Sequence, residues 1–372
     1  MRLFDCHCHY HLGPGGIAPL LRTIRRTEAP LRDQRADAAA AQVRREDDDA
    51  IASSKSFAGA ALMSTHPRDY PAVDSMALEL EGLNCTAVPC YGVHPWFLHE
   101  VLNGDADDDG WLVELRRRLD DRPDAIVGEI GLDGARWREV VDELDTNGDR
   151  AGAGIWERKR TLSCPMDLQK MAFERQLELA TELRRPVSIH VVKAWGELLD
   201  SLNNVQDAMR RRHYSMEEKI EGAAPDDDRT TKNGRRSIRP NEDTKKKARR
   251  RKPLFLPPKF YFHAFSGKAG VLPSLLAACE RGNVPRGDVY FGFAPAIPNF
   301  YSAKTPSIMK RIGVDQLLLE TDLEDSSDAW DDLTSGVEGL ASALDMDVRD
   351  VADRTYQNAM RFYFEVGCES GG

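Results

Sequence analysis

The sequence predicts an α/β protein built as a parallel (β/α)8 barrel of the TIM type, carrying disordered or irregular insertions. Three observations lead there. Eight short apolar runs recur along the chain, and stretches of helical periodicity lie between most of them. The acids and histidines gather at the C-terminal ends of those runs, which is where such barrels keep their chemistry. A doubly wound open sheet would alternate in the same way, so the placement of the polar residues decides for the barrel.

The predicted strands are Arg2–Cys6, Phe57–Met63, Ala87–Val93, Ala125–Ile130, Pro186–His190, Lys259–His263, Asp288–Phe293 and Gln316–Glu320. The first lies in LFDCHCHYHL, where His7, His9 and His11 follow Asp5 at a spacing of two. An extended chain sends residues i, i+2 and i+4 to one face. Asp5, His7 and His9 are therefore expected to point together, with Cys6 and Cys8 turned away into the packing. Neutral imidazoles beside a carboxylate suit a metal ion. An expression tag or a chance cluster is the bland alternative. Cys and Tyr interleave these histidines behind a hydrophobic start, which argues against a tag, and the rest of the chain decides about chance.

Helices are predicted at 72–81, 111–119, 165–184, about 194–202, 268–281, 305–311 and about 347–364. The clearest is 165–184, where Leu168, Met171, Ala172, Leu177, Leu179, Ala180 and Leu183 recur near helical spacing.

With 372 residues and 41% hydrophobic content, the chain can bury a substantial core, as one large domain or two ordinary ones, and the whole of 1–372 is taken as a single barrel. No stretch approaches the ~20 apolar residues that span a bilayer, and no secretory signal opens the chain. Seven cysteines without a spacing pattern read as reduced thiols. A cytoplasmic or nuclear address without membrane attachment is the expectation.

The net charge of −10 conceals an asymmetry. Between Leu202 and Leu254 stand 16 Lys/Arg against 9 Asp/Glu, which makes that stretch +7 and the remainder −17. Segment 202–254 has few apolar residues and is expected to be disordered. Its run from Lys245 to Lys252 resembles a nuclear-localisation or nucleic-acid patch, with a solvated loop as the plain alternative. Segments 22–53 and 134–162 also read as insertions, and all three are candidate docking segments for protein partners.

The strand ends carry the chemistry. His7 and His9 end the first strand, and Glu129 lies in the fourth, followed by Asp133. His190 ends the fifth, His263 the sixth, and Glu320 and Asp322 the eighth. A lone histidine closing a strand is ordinarily a hydrogen-bonded core residue, and an Asp after a strand is ordinarily a helix N-cap. Such coincidences on five strands of one rim point instead to a metal site.

DCHCH, YGVHPW, VGEIGLD, RRPVSIHVVKAWG, FHAFSG and LLLETD resemble, in order and spacing, the TatD-type metal-dependent deoxyribonucleases of the amidohydrolase superfamily. PMDLQKMAFERQLELA and YQNAMRFY are similar to that family's helices, so the resemblance covers the chain outside the insertions. It implies two divalent metal ions (Mg, Mn or Zn). His7, His9, Glu129 and Asp322 match the residues that hold one ion. Glu129, His190 and His263 match those that hold the second, with Glu129 bridging where many superfamily members use a carboxylated lysine. A carboxylate does have two oxygens, enough to span cations about 3.5–4 Å apart.

The implied reaction is hydrolysis of DNA phosphodiester bonds by a metal-activated water, by an exonuclease (3′–5′) or an endonuclease. Asp322 is the expected proton acceptor, and Glu129 the other catalytic carboxylate. Asp5 and Glu320 are expected to support the ligands from behind. His94 is a candidate contact to the leaving group or scissile phosphate, or else a loop histidine bonded to its own turn. Lys193 and Ser266 are candidate phosphate contacts, and Lys193 reads equally as a solvated charge. Two rivals stand beside this reading. One is hydrolysis of another ester or amide, such as an aminoacyl-tRNA; the other is an adaptor built on a metal-binding barrel.

Overall fold

A computed structural model describes residues 1–28, 56–102, 109–135, 137–143, 156–162, 164–222 and 253–365. The strands are β1 (Arg2–Cys8), β2 (Ser56–Met63), β3 (Thr86–Tyr91), β4 (Ile126–Asp133), β5 (Trp137–Glu143), β6 (Trp156–Leu162), β7 (Val187–Val192), β8 (Phe260–Phe262), β9 (Val289–Gly292) and β10 (Leu317–Leu318). The helices are α1 (Ala18–Glu28), α2 (Tyr70–Gly82), α3 (Leu98–Val101), α4 (Gly110–Asp121), α5 (Met166–Glu182), α6 (Trp195–Gly222), α7 (Val271–Arg281), α8 (Thr305–Ile312), α9 (Ala329–Leu344) and α10 (Val348–Phe364).

Eight strands pair in the order β1-β2-β3-β4-β7-β8-β9-β10, every pair parallel. The ring closes through backbone: Cys6 N donates to Leu319 O at 2.9 Å, and Asp322 N to His7 O at 2.9 Å. The (β/α)8 barrel expected from the sequence is thus the fold. Parallel strands buried on both faces read as continuous apolar runs, which is why all eight were visible.

An outer layer packs Leu3, Leu62, Val127, Val187 and Ile189 against the surrounding helices. Inside the ring Phe4, Cys6, Ala61, Val88, Ile126, Tyr290 and Leu318 meet Ala359, Phe362 and Tyr363 of α10. These lumen residues lie upstream of the site residues on their strands, so the apolar fill occupies the end away from the site. One expectation fails in β1. Cys6 lies in the lumen and Cys8 in the outer layer, because the register with β2 slips between Asp5 and Cys8 and breaks the alternation.

The insertions are partly regular. Segment 134–162 contains β5 and β6, an antiparallel ribbon from Trp137 opposite Leu162 to Glu143 opposite Trp156. Segment 202–254 begins inside α6, which runs well past the expected 194–202. Leu198, Leu202 and Val205 are fully or almost fully buried, and Gln206 Nε2 donates to Ala278 O at 3.0 Å. Of segment 22–53, residues 22–28 belong to α1. The remainder of 22–53, and 223–252 with the basic run, lie outside the described residues. Helices α1, α3 and α9 had no counterpart among the predicted elements. In α9 two glycines mask the helical pattern, and packing requires them. A Cβ at Gly336 would lie 2.9 Å from Leu319, and one at Gly339 would lie 2.4 Å from the ring of Phe300.

Candidate metal centre

The C-terminal ends of β1, β4, β7, β8 and β10 converge on the Glu129 carboxylate. Its Oε2 lies 3.5 Å from His7 Nε2 and 3.2 Å from His9 Nε2. Its Oε1 lies 2.7 Å from His263 Nε2, 3.0 Å from His190 Nδ1 and 3.3 Å from His94 Nε2. Asp322 Oδ1 completes the first side, at 3.6 Å from His7 Nε2 and 3.7 Å from His9 Nε2. Glu129 can come this close to β7 because of its neighbour in GEIGLD. Gly131 has a φ of +156, and a Cβ there would lie 2.0 Å from His190 O.

These atoms fit a cation better than they fit one another. His7 Nε2, His190 Nε2 and both ring nitrogens of His263 are buried without hydrogen-bond partners. His7, His9 and Asp322 offer ligand atoms within 4.8 Å of one another, as do His7, Glu129 and His263. Outer groups aim the rings. His9 Nδ1 lies 2.7 Å from Met63 O, a pure acceptor, so Nδ1 keeps its proton and Nε2 is the nitrogen that presents a lone pair when the ring is neutral. His7 Nδ1 sits 3.1 Å from Ser188 Oγ, and the His7 ring stacks on His263 at 3.7 Å.

His94 is brought into the cluster as well, but with the opposite tautomer. Its Nδ1 accepts from Trp96 N at 3.2 Å, so Nε2 bears the proton and donates toward Glu129. Burial keeps its pKa down, at about 4, and the ring is neutral. His94 is therefore a hydrogen-bond donor here and offers no lone pair toward Glu129.

Burial opposes charge on His7, His9, His94, His190, Glu129 and Asp322, yet the cluster overrides it in places. Burial lowers the imidazolium pKa of His9 and His190, but Glu129, with Asp322 or Asp133, raises each to about 9. Burial pushes Glu129 up, and the surrounding imidazoles, His94 and His263 foremost, pull it well below the usual range. Asp322 is raised, chiefly by burial. It remains the more open acid, with 16% of its side chain exposed against 4% for Glu129.

Asp5 and Glu320 stand behind the ligands. Asp5 Oδ1 accepts from His7 N at 3.2 Å and Thr321 N at 3.0 Å, and Oδ2 from Thr321 Oγ1 at 2.7 Å and from Tyr10. It ties β1 to the segment after β10, and burial lifts its pKa to about 6. Glu320 accepts from Ala264 N at 2.7 Å and from the Tyr261 hydroxyl, which fixes the turn after His263. Lys193 is exposed on the loop after β7, three residues past His190. Ser266 is not presented as a free phosphate donor, because its hydroxyl donates to Val191 O at 3.2 Å.

Other contributors lie inside the quoted motifs but had no role assigned to them from sequence. Trp96 Nε1 donates to Asp133 Oδ2 at 2.6 Å, and the same oxygen faces His190 Nε2 at 3.6 Å. Its indole sits edge-on to His94, with centroids 4.9 Å apart. Asp133, readable as a strand-end acid, thus acts as the carboxylate behind His190. Ser188 was hidden in the same strand as His190. Its position two residues before that histidine on an extended strand was the one usable signal.

A barrel whose strand ends supply histidines and carboxylates to one buried basin has the architecture of a metal-dependent hydrolase. The profile of the TatD-related DNases matches residues 4–364, and the chain belongs to that family of metal-dependent hydrolases. The Cut9-interacting protein scn1 of Schizosaccharomyces pombe is 25% identical over 335 residues, which cover 81% of this chain and 90% of that protein. An uncharacterised deoxyribonuclease of Saccharomyces cerevisiae is 26% identical over 169 residues, 38% of this chain and 51% of that protein. The crystal structure of YJJV, a TatD homologue from Escherichia coli, shares the fold with a TM-score of 0.55 at 16% identity, covering 97% of both chains. An uncharacterised amidohydrolase from Saccharomyces cerevisiae does so with a TM-score of 0.57 at 14% identity, covering 98% of this chain and 100% of the other. Among the described residues no helix is long and apolar enough to cross a membrane.

Proposed function

We infer that this TatD-family hydrolase cleaves DNA phosphodiester bonds, removing nucleotides in the 3′–5′ direction, with two divalent cations held around Glu129. The carrying observation is the division of that carboxylate: Oε2 faces His7 and His9, and Oε1 faces His190 and His263. Asp322 joins the first set. Mixed imidazole and carboxylate donors suit Zn²⁺ or Mn²⁺, and accept Mg²⁺ with added waters. Bound there, such cations supply Lewis acidity and a water of lowered pKa.

The protein's own groups do the remaining work. Asp322, the more solvent-facing acid of the pair, takes the proton of the attacking water, and its raised proton affinity suits a base. His94, neutral with its proton on Nε2, turns that hydrogen bond from Glu129 to a phosphate oxygen once cations occupy the carboxylate. Met63 O, Ser188, Asp133, Asp5 and Glu320 hold the ligands and their supporting strands in place. The catalytic unit is the barrel as a single domain. A cytoplasmic or nuclear address is part of this reading, supported by six described cysteines that are all free of disulfides.

The test is a nuclease assay on 3′- and 5′-labelled single- and double-stranded DNA with Mg²⁺, Mn²⁺ and Zn²⁺ titrations. Small amides, esters and aminoacyl-tRNA are run in parallel. Progressive shortening from the 3′ end, abolished by chelation and reduced on the order of 10³-fold in Glu129→Gln, is the expected result. Turnover of the amides or esters with DNA untouched sinks the reading. A second role is suggested by the relative named for its interaction with Cut9: a protein-binding function carried by the same barrel or its insertions. If Glu129→Gln and Asp322→Asn abolish hydrolysis yet rescue a deletion strain fully, the adaptor role is the important one.

A further inference from the structure

The rim around the basin is electrostatically divided. Lys193, Lys268 and Lys304 stand exposed on the loops that follow β7, β8 and β9, and among the described residues no carboxylate pairs with them. Many exposed cations elsewhere are neutralised at short range: Arg68 by Glu100 at 2.9 Å, Arg286 by Glu280 at 2.6 Å, Arg354 by Asp315 at 2.7 Å. Of the helices that start from this side, α7 and α8 carry no acid in their first turns and α6 carries one, Glu197. On the loop after β10, by contrast, Glu324, Asp325 and Asp328 are exposed acids. A polyanion at the mouth is repelled from the β10 side and drawn across β7, β8 and β9.

Those three loops form one continuous surface. Ser266 Oγ donates to Val191 O at 3.2 Å, Asn299 Nδ2 to Phe265 O at 3.0 Å, and Thr305 Oγ1 to Asn299 O at 2.7 Å. At its far end Tyr301 exposes 69% of its surface. The neighbouring Phe300 is seated over Gly339, with its ring centroid 5.2 Å from that of Tyr301, so the exposed ring stands on a fixed base. Lys193 itself has a φ of +52, a conformation that costs energy for a residue with a side chain and recurs at functional positions.

We propose that Lys193, Lys268, Lys304 and Tyr301 form a track for a single DNA strand leaving the basin across the β7, β8 and β9 loops. The three ammonium groups meet successive backbone phosphates, and the Tyr301 ring stacks on a base. This combination binds single strands without reading sequence. The track deepens the nuclease reading and rests on it for the identity of the strand.

The test is binding of a fluorescein-labelled phosphorothioate oligothymidylate of about ten nucleotides to the metal-loaded full chain, by anisotropy over a salt series. The Lys193→Gln/Lys268→Gln/Lys304→Gln variant is expected to bind at least tenfold more weakly at low salt. Its slope of log K against log salt should fall by about 2, since each single-strand phosphate contact contributes about 0.7. Tyr301→Ala should weaken binding about fivefold or more without moving the slope. Lys310→Gln, a like charge at the other end of α8, should change neither. An unchanged slope in the triple variant overturns the track, as does an equal fall per charge in Lys310→Gln. Wild-type turnover of bis(4-nitrophenyl) phosphate is measured alongside. Its absence with all three metals counts against the nuclease reading alone, because the slope judges the track independently of cleavage.

Discussion

Glu129 holds together a cluster that, without cations, is held by protons. His9 and His190 keep theirs up to about pH 9, well above the ordinary imidazole range. In the metal-free protein each is a group whose folded pKa is raised. Its contribution to stability is complete below about pH 6.5 and is lost as pH climbs through about 9. Cation loading must displace the same protons, so metal affinity should rise with pH over that window and level off above it. Calorimetric titration in buffers of different ionisation enthalpy should register proton release on binding at pH 7.5. Binding without proton release contradicts the assignment of His9 and His190 as ligands. At this scale the histidines and acids were legible because each ends an apolar run. Their partners were not. Trp96, Tyr261 and Ser188 act through contacts between segments distant in sequence, and a chain read in order hints at this only where Ser188 shares the alternation of His190.

The elements most easily read are those whose pattern is uniform. Strand β4 and helix α5 present unbroken apolar or periodic sequence, whereas α6 hides about three turns of buried or half-buried stripe under a charged surface. Leu198, Leu202, Val205 and Met209 continue at helical spacing into a stretch where arginines and glutamates dominate the count. Local charge density obscured a single apolar stripe. The stripe is consequential: Leu202→Ala should lower unfolding free energy by about 2–5 kcal/mol, measured by urea denaturation. A change below about 0.5 kcal/mol would mean that α6 ends its packing before that residue. Helix α9 was obscured for another reason. Its glycines oppose helix propensity, and only the close approach of Phe300 and Leu319 explains them.

For the molecule as a whole, the proposed ligand set would couple the ring to its cation. Five strands donate to one basin, so a bound cation cross-links elements that unfolding would separate. At 100 times its dissociation constant a single divalent ion should stabilise the fold by about 2.7 kcal/mol. Chelation should therefore lower the thermal midpoint by several degrees, and Glu129→Gln should abolish that difference. A midpoint indifferent to chelator and metal alike would argue that the basin is not a binding site. Barrel topology was the most legible level of all, since a count of apolar runs and the residues ending them sufficed. Ring closure was not visible, because β10 is short and its union with β1 rests on a few backbone hydrogen bonds.

That union has a consequence for the timing of synthesis. His7 and His9 leave the ribosome first among the ligands and Asp322 last, and they become neighbours only when the final strand docks against the first. A nascent or truncated chain lacking the last sixty or so residues, β10 and Asp322 among them, therefore carries most of the donors but cannot assemble the basin. On the nuclease reading, cutting power is withheld until the barrel has been sealed.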